Sequence, residues 1–139
     1  MSRPTIAVDL DGVLAKYDPA TFDPCHIGDP IPGALEFVRE LQEFADIIVM
    51  TARIRGQDDE FDLMTALMVN EWLDRNGLKC GVWDRQGKPL AAAYVDDRGV
   101  RCDPQNNPGD FTLARYTCRC LCAKVSQAEA ADHQNGVMP

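Results

Sequence analysis

The chain has 139 residues, 45% of them hydrophobic, and 22 acidic against 14 basic side chains give a formal net charge of −8. That length fits one domain with a sizeable core, and no apolar run nears the ~20 residues of a membrane span. The acidic balance argues against a general binder of nucleic-acid backbone, which carries a basic face.

In chain order, Ile6-Ala7-Val8-Asp9-Leu10-Asp11-Gly12 is an apolar run closed by two carboxylates and a glycine. It reads as a buried strand ending near Asp9, then a turn. Met1 to Pro4 lead straight into it, which reads as no secretory signal. Lys16 to Pro32 is a loop rich in Asp and Pro, and its Tyr17 to Asp29 stretch, with Phe22, Cys25 and His26, would overhang the strand end. Ala34, Phe37, Val38, Leu41 and Phe44 recur at helical spacing, with Pro32 near the first turn, where a missing N–H costs nothing. Residues 46–51 predict a second strand. Residues 59–76 predict a second helix, with Asp58 or Asp59 near its start, Gly77 as its stop, and an apolar face of Phe61, Met64, Leu67, Met68, Trp72 and Leu73. Short strands follow near 80–83 and 92–95. Phe111, Ala114, Cys118, Leu121, Cys122 and Val125 fit a third helix, in which cysteine acts as a small hydrophobe; C-x-C-x-C lacks the usual spacing of a zinc site. Strands alternating with helices predict a central parallel sheet with right-handed crossovers. The domain is expected over 1–125, with a flexible tail over 126–139, where apolar periodicity stops.

Polar groups gather at the predicted strand ends, where open α/β sheets place their ligands. Asp9 and Asp11 follow the first strand, Thr51, Ala52 and Arg53 the second, and Asp96, Asp97 and Arg98 the last, with Lys88 in the loop before it. Four carboxylates converging there repel one another, and burying them unpaired is costly. A hard cation relieves this, and an acid cluster without nearby His suggests Mg²⁺ rather than Zn²⁺. A carboxylate can act as a nucleophile that becomes an aspartyl-phosphate, with a lysine, a hydroxyl and backbone N–H groups holding the phosphoryl oxygens. Plainer roles exist for each: a turn for D-x-D-G, an N-cap for Thr51, a surface loop for Lys88 and His26, and pairing with acidic neighbours for Arg98.

The ordered set D-x-D, T, K, D-D over residues 5 to about 100 resembles the haloacid dehalogenase-like (HAD) phosphohydrolase superfamily. The resemblance implies a Rossmann-like three-layer α/β fold. It implies Asp9 as nucleophile, Asp11 as general acid/base with its carbonyl on the metal, and Thr51 and Lys88 on the phosphate, beside Gly12 and the Ala52 backbone. Asp9, Asp11, Asp96 and Asp97 would hold Mg²⁺. Thr-Ala-Arg followed by Asp-Asp-Arg also resembles the phosphatase module of polynucleotide kinase-phosphatases, which implies a substrate contact for Arg53. Neither inter-motif interval has room for a cap domain, so an open site is expected. The resemblance thus implies a Mg²⁺-dependent phosphomonoester hydrolase acting on a nucleotide, a nucleic-acid 3′ end or a small metabolite phosphate, and the lack of a signal or an apolar span adds the expectation of a cytoplasmic protein without a membrane partner. An inactive domain of the same fold that binds phosphate or protein is the alternative. Sequence sets neither the substrate nor the oligomeric state.

Overall fold

The computed structural model describes residues 3–56, 58–85, 87–96 and 100–134. Its elements in order are β1 (Thr5–Asp9), α1 (Ala34–Leu41), β2 (Asp46–Met50), α2 (Asp59–Arg75), β3 (Gly81–Val82), β4 (Ala93–Asp96), β5 (Val100–Arg101) and α3 (Asp110–Gln134). The strands form a five-stranded sheet in the order β3-β2-β1-β4-β5, and every pairing is parallel. This is the expected Rossmann-like α/β architecture, and among the described residues no folded cap stands between the strands. Ile6, Ala7 and Val8 of the central strand are all fully buried. Successive strand residues face opposite ways, so both faces of the sheet are covered. No helix among the described residues is long and apolar enough to cross a membrane.

α1 buries Ala34, Phe37, Val38 and Leu41, as its spacing predicts. It packs on α3, where Phe37 and Phe111 place their ring centroids 4.9 Å apart. α3 contributes Phe111, Ala114, Cys118 and Cys122 to the core. Burial pushes the thiols of Cys102 and Cys118 up to about 12; for Cys102, Asp110, Cys118 and Asp103 add to that effect. They remain protonated, apolar packing groups, and no disulfide forms among the six cysteines.

Three sequence expectations need correction. α3 continues to Gln134, into the stretch expected as a flexible tail, because Gln127, Ala128, Glu129, Ala130 and Ala131 are good helix formers even where the apolar stripe has ended. β5 was not anticipated: two residues carry no periodicity, and their pairing with Val95 and Asp96 is a tertiary event. The apolar face assigned to α2 is also rotated. Trp72 and Leu73 are buried, but Phe61, Met64 and Leu67 are exposed, and the covered arc instead contains Asp62, Thr65, Ala66 and Val69. α2 contacts β3. Asp62 is drawn inward because its two oxygens accept the Arg55 and Gly56 N–H groups at 3.0 and 2.7 Å. The expected ends of α2 form as read: the Asp58 side chain caps the Phe61 N–H at 3.1 Å, and the Leu78 N–H returns to the Leu73 carbonyl at 2.9 Å just past Gly77.

The Asp- and Pro-rich loop is pinned at several points. Lys16 N–H donates to the Asp29 carbonyl and Ile31 N–H to the Leu14 carbonyl, both at 2.8 Å. The Trp72 indole N–H donates to the Gly28 carbonyl at 3.0 Å. A Cβ on Gly28 would stand 2.3 Å from the Lys16 carbonyl oxygen, so the two loop ends can close only on glycine. Gly28→Ala is therefore expected to destabilise the protein by about 1–3 kcal/mol through overpacking against backbone. Thermal melting and proteolysis within 17–28 measure this; an unchanged melting temperature would show that the closure carries no strain.

Candidate active site

Sheet register assembles the site. β1 lies between β2 and β4, and the chain runs from β1 to β2 and β3 before returning to the other side of β1 at β4. That reversal is a topological switch point, where open α/β sheets bind ligands beyond the carboxyl ends of their strands. Asp9 is level with Met50, so Thr51 sits one step beyond it; Val8 is level with Val95, which brings Asp96 level with Asp9. Asp97 and Arg98, expected beside Asp96, lie outside the described residues.

Past Asp9 the chain curls at once. The Leu10 carbonyl accepts N–H groups from Val13, Leu14 and Ala15, and the Gly12 N–H donates to the Ala15 carbonyl at 2.8 Å. Gly12 adopts φ +82°, and a Cβ there would meet nothing within 4 Å. The backbone conformation, not space, therefore calls for glycine at this turn. The Leu10 N–H is held by Asp9 Oδ1 at 2.9 Å. Among the described residues, the Asp11 carbonyl accepts no hydrogen bond and the Ala52 N–H donates none.

The Asp11 carboxylate does have a partner. Arg53 Nε and Nη2 donate to Asp11 Oδ2 and Oδ1 at 2.8 and 2.9 Å, a bidentate fork. The side chains are 5% and 17% exposed. Arg53 Nη1 donates to the Asp23 and Pro24 carbonyls, both at 3.1 Å, and the guanidinium lies 4.8 Å from the Phe22 ring centroid. Arg53 thus ties the turn after β1 to the overhanging loop.

Thr51 is buried and its Oγ1 accepts the Arg53 N–H at 3.1 Å. It closes a turn rather than capping a helix, and its own O–H remains available as a donor. Lys88 is exposed, with its ammonium 5.4 Å from the Tyr94 ring centroid. Tyr94 and Asp96 share a strand face, so Lys88 approaches from the Asp96 side of the sheet without lining the cavity described next.

A cavity of about 730 Å³ opens over this strand end, with Asp9, Asp11, Gly12, Ala52 and Arg53 in its wall. Tyr17 and Phe22 of the overhanging loop reach it, whereas His26 lines a neighbouring cavity of about 760 Å³. Sequence reasoning missed Arg55, Phe61, Asp103, Gln105 and Asn106, which also line the wall. Phe61 was assigned to a buried helix face. The last three sit in Asp-Pro-Gln-Asn-Asn-Pro-Gly, a turn-forming run after β5, and every loop leaving the same edge of a parallel sheet is a candidate wall.

Among the described residues, no group of three or more His, Cys, Asp or Glu side chains is placed to hold a metal ion. The fork to Arg53 removes the Asp11 carboxylate from such a set. At the strand end Asp9 and Asp96 stand level with one another, beside the Asp11 carbonyl. Two carboxylates and a carbonyl, completed by water and a phosphate, suit Mg²⁺, which takes few protein ligands.

No family model and no curated protein matches the chain. A solved structure of a conserved protein from Bacteroides thetaiotaomicron is similar at 26% identity, covering 70% of this chain and 78% of that one, with a TM-score of 0.46.

Proposed function

We propose that this protein is a phosphomonoester hydrolase of the HAD-like kind, working through an aspartyl-phosphate on Asp9. The observation that carries the reading is the pairing of Asp9 and Asp11 in one cavity wall at the β1/β4 switch point. Asp9 Oδ attacks phosphorus as the bond to the leaving oxygen breaks, and Asp11 gives that oxygen a proton. Asp11 then takes a proton from water, the water oxygen attacks phosphorus, and the bond to Asp9 breaks to release phosphate and the free carboxylate. The Thr51 hydroxyl and the Ala52 N–H are donors for the phosphoryl oxygens, and Lys88 adds positive charge from the Asp96 side. Asp9, Asp96 and the Asp11 carbonyl would hold Mg²⁺, with Asp97 as a further candidate. When bound, the cation offsets charge between the anionic nucleophile and the anionic substrate. Arg53 acts here as a positioning residue for Asp11 rather than as the substrate contact the resemblance implied. A reducing cytoplasmic setting agrees with six unpaired cysteines.

Hydrolysis of p-nitrophenyl phosphate, with Mg²⁺ and with excess EDTA, tests this. Release is expected only with the cation, which should also raise the melting temperature by binding the folded state. Full activity in EDTA would remove Mg²⁺ from the proposal. The clamped Asp11 carboxylate supports a second reading, a phosphate-binding domain without turnover. That reading predicts saturable phosphate binding and no hydrolysis of any phosphomonoester.

A further inference from the structure

The reacting groups occupy only part of their cavity. About 730 Å³ is within the range that accommodates a drug-sized ligand, so the remaining wall faces the organic part of whatever binds. Two pieces of that wall come from one short stretch of chain: Arg55, two residues after Arg53, and Phe61 in the first turn of α2.

The two arginines are in opposite situations. Arg53 is buried, and its Nε, Nη1 and Nη2 already donate to Asp11, Asp23 and Pro24. Arg55 is exposed, and among the described residues its guanidinium has neither an ion pair nor a hydrogen bond. Its backbone is nonetheless fixed. Buried Asp62 holds the Arg55 and Gly56 N–H groups, one on each carboxylate oxygen. An open guanidinium on a pinned backbone can receive an anion, and its fork matches a phosphate or carboxylate. Phe61 is 42% exposed although it lines the cavity. Phe22 and Tyr17, stacked edge to face at 5.7 Å, offer further ring surface from the overhanging loop. Flat rings of this kind suit a planar ring on the ligand.

We propose that Arg55 and Phe61 select the substrate of this site: a phosphomonoester that carries a planar ring and a second anionic group, the chemistry of a nucleoside bisphosphate. The ring lies against Phe61 and the second anion pairs with Arg55. The proposal rests on the hydrolase reading. It gives the cavity's only uncommitted arginine among the described residues a role that a one-phosphate substrate would leave unused.

The test compares kcat/KM for adenosine 3′,5′-bisphosphate, adenosine 5′-monophosphate and glycerol phosphate. Wild type should prefer the bisphosphate to the monophosphate by about tenfold or more, the worth of one charge-assisted contact. Arg55→Gln should bring that ratio close to one by raising KM for the bisphosphate, and Arg55→Lys should keep part of it because charge remains without the fork. Phe61→Leu should instead narrow the preference of both nucleotides over glycerol phosphate. Arg55 and Phe61 are exposed, so melting temperatures should hold and report any folding fault. A wild type that hydrolyses all three substrates indiscriminately, or a preference that survives Arg55→Gln, overturns this proposal alone. A wild type that hydrolyses none of them, nor p-nitrophenyl phosphate, overturns the hydrolase reading and this proposal with it.

Discussion

Asp9→Asn is expected to abolish turnover while leaving the fold in place. Asp9 ends the central strand, and the register that sets its position is made by backbone pairing with β2 and β4. The Leu10 N–H that Asp9 Oδ1 accepts can be accepted equally by an amide oxygen. With the register made by backbone and the Leu10 N–H still accepted, melting should move by less than ~4 °C. Chemistry is another matter, because an amide is a poor nucleophile. Removal of a covalent nucleophile elsewhere costs up to ~10⁶-fold in kcat, and a loss of at least ~10⁴-fold is expected here. Two measurements check the assignment. Steady-state hydrolysis of p-nitrophenyl phosphate gives the loss in rate. Acid quenching followed by peptide mass analysis should find one phosphoryl group on the peptide carrying Asp9 in wild type and none in the variant. Near-normal activity in Asp9→Asn, or a phosphoryl group trapped elsewhere, would remove Asp9 from the centre of the reaction.

Much of the scaffold was legible in the sequence because its signals are local. The apolar run ending at Asp9, the helical spacing of Ala34 to Leu41, and the cap and stop at Asp58 and Gly77 each follow from a few adjacent residues. What the sequence hid is relational. The buried arc of α2 includes Asp62, whose carboxylate holds the Arg55 and Gly56 N–H groups, a contact that no apolar periodicity signals. The fork between Arg53 and Asp11 joins residues 42 apart in the chain. Its formation makes Arg53 an internal tie, a role that neither residue's local sequence signals. Arg55 carried no motif at all, and only the commitment of its neighbour makes it the open cation. Lys88 carried a motif yet sits by Tyr94, because the loop before β4 sets its reach.

Arg53→Ala is expected to be the most damaging substitution outside the reacting carboxylates, in stability as well as in rate. It leaves the Asp11 carboxylate, 17% exposed, without its partner, and removes the donors of the Asp23 and Pro24 carbonyls. Breaking a largely buried pair in this way costs about 3–5 kcal/mol, and the residual exposure of Asp11 places the expectation near the lower end. Arg53→Lys keeps the charge but cannot span two carboxylate oxygens and two carbonyls, so it should recover little. With the tie cut, amide exchange over 17–28 should accelerate, since the remaining ties hold the loop at Lys16 and Tyr17 and at Gly28 and Ile31, leaving Asp23 and Pro24 without theirs. The rate effect should depend on the leaving group. An unheld Asp11 protonates an alkoxide poorly, and losing general-acid help is worth ~10²–10⁴-fold. p-Nitrophenolate leaves without that proton and should lose far less. Asp11→Asn should show the same leaving-group dependence, and because the two residues act as one unit, the double variant Asp11→Asn/Arg53→Ala should be hardly slower than either single variant. Additive losses, with equal damage to alkyl and aryl phosphates and unchanged exchange over 17–28, would reduce the Arg53–Asp11 fork to a structural ion pair with no part in proton transfer.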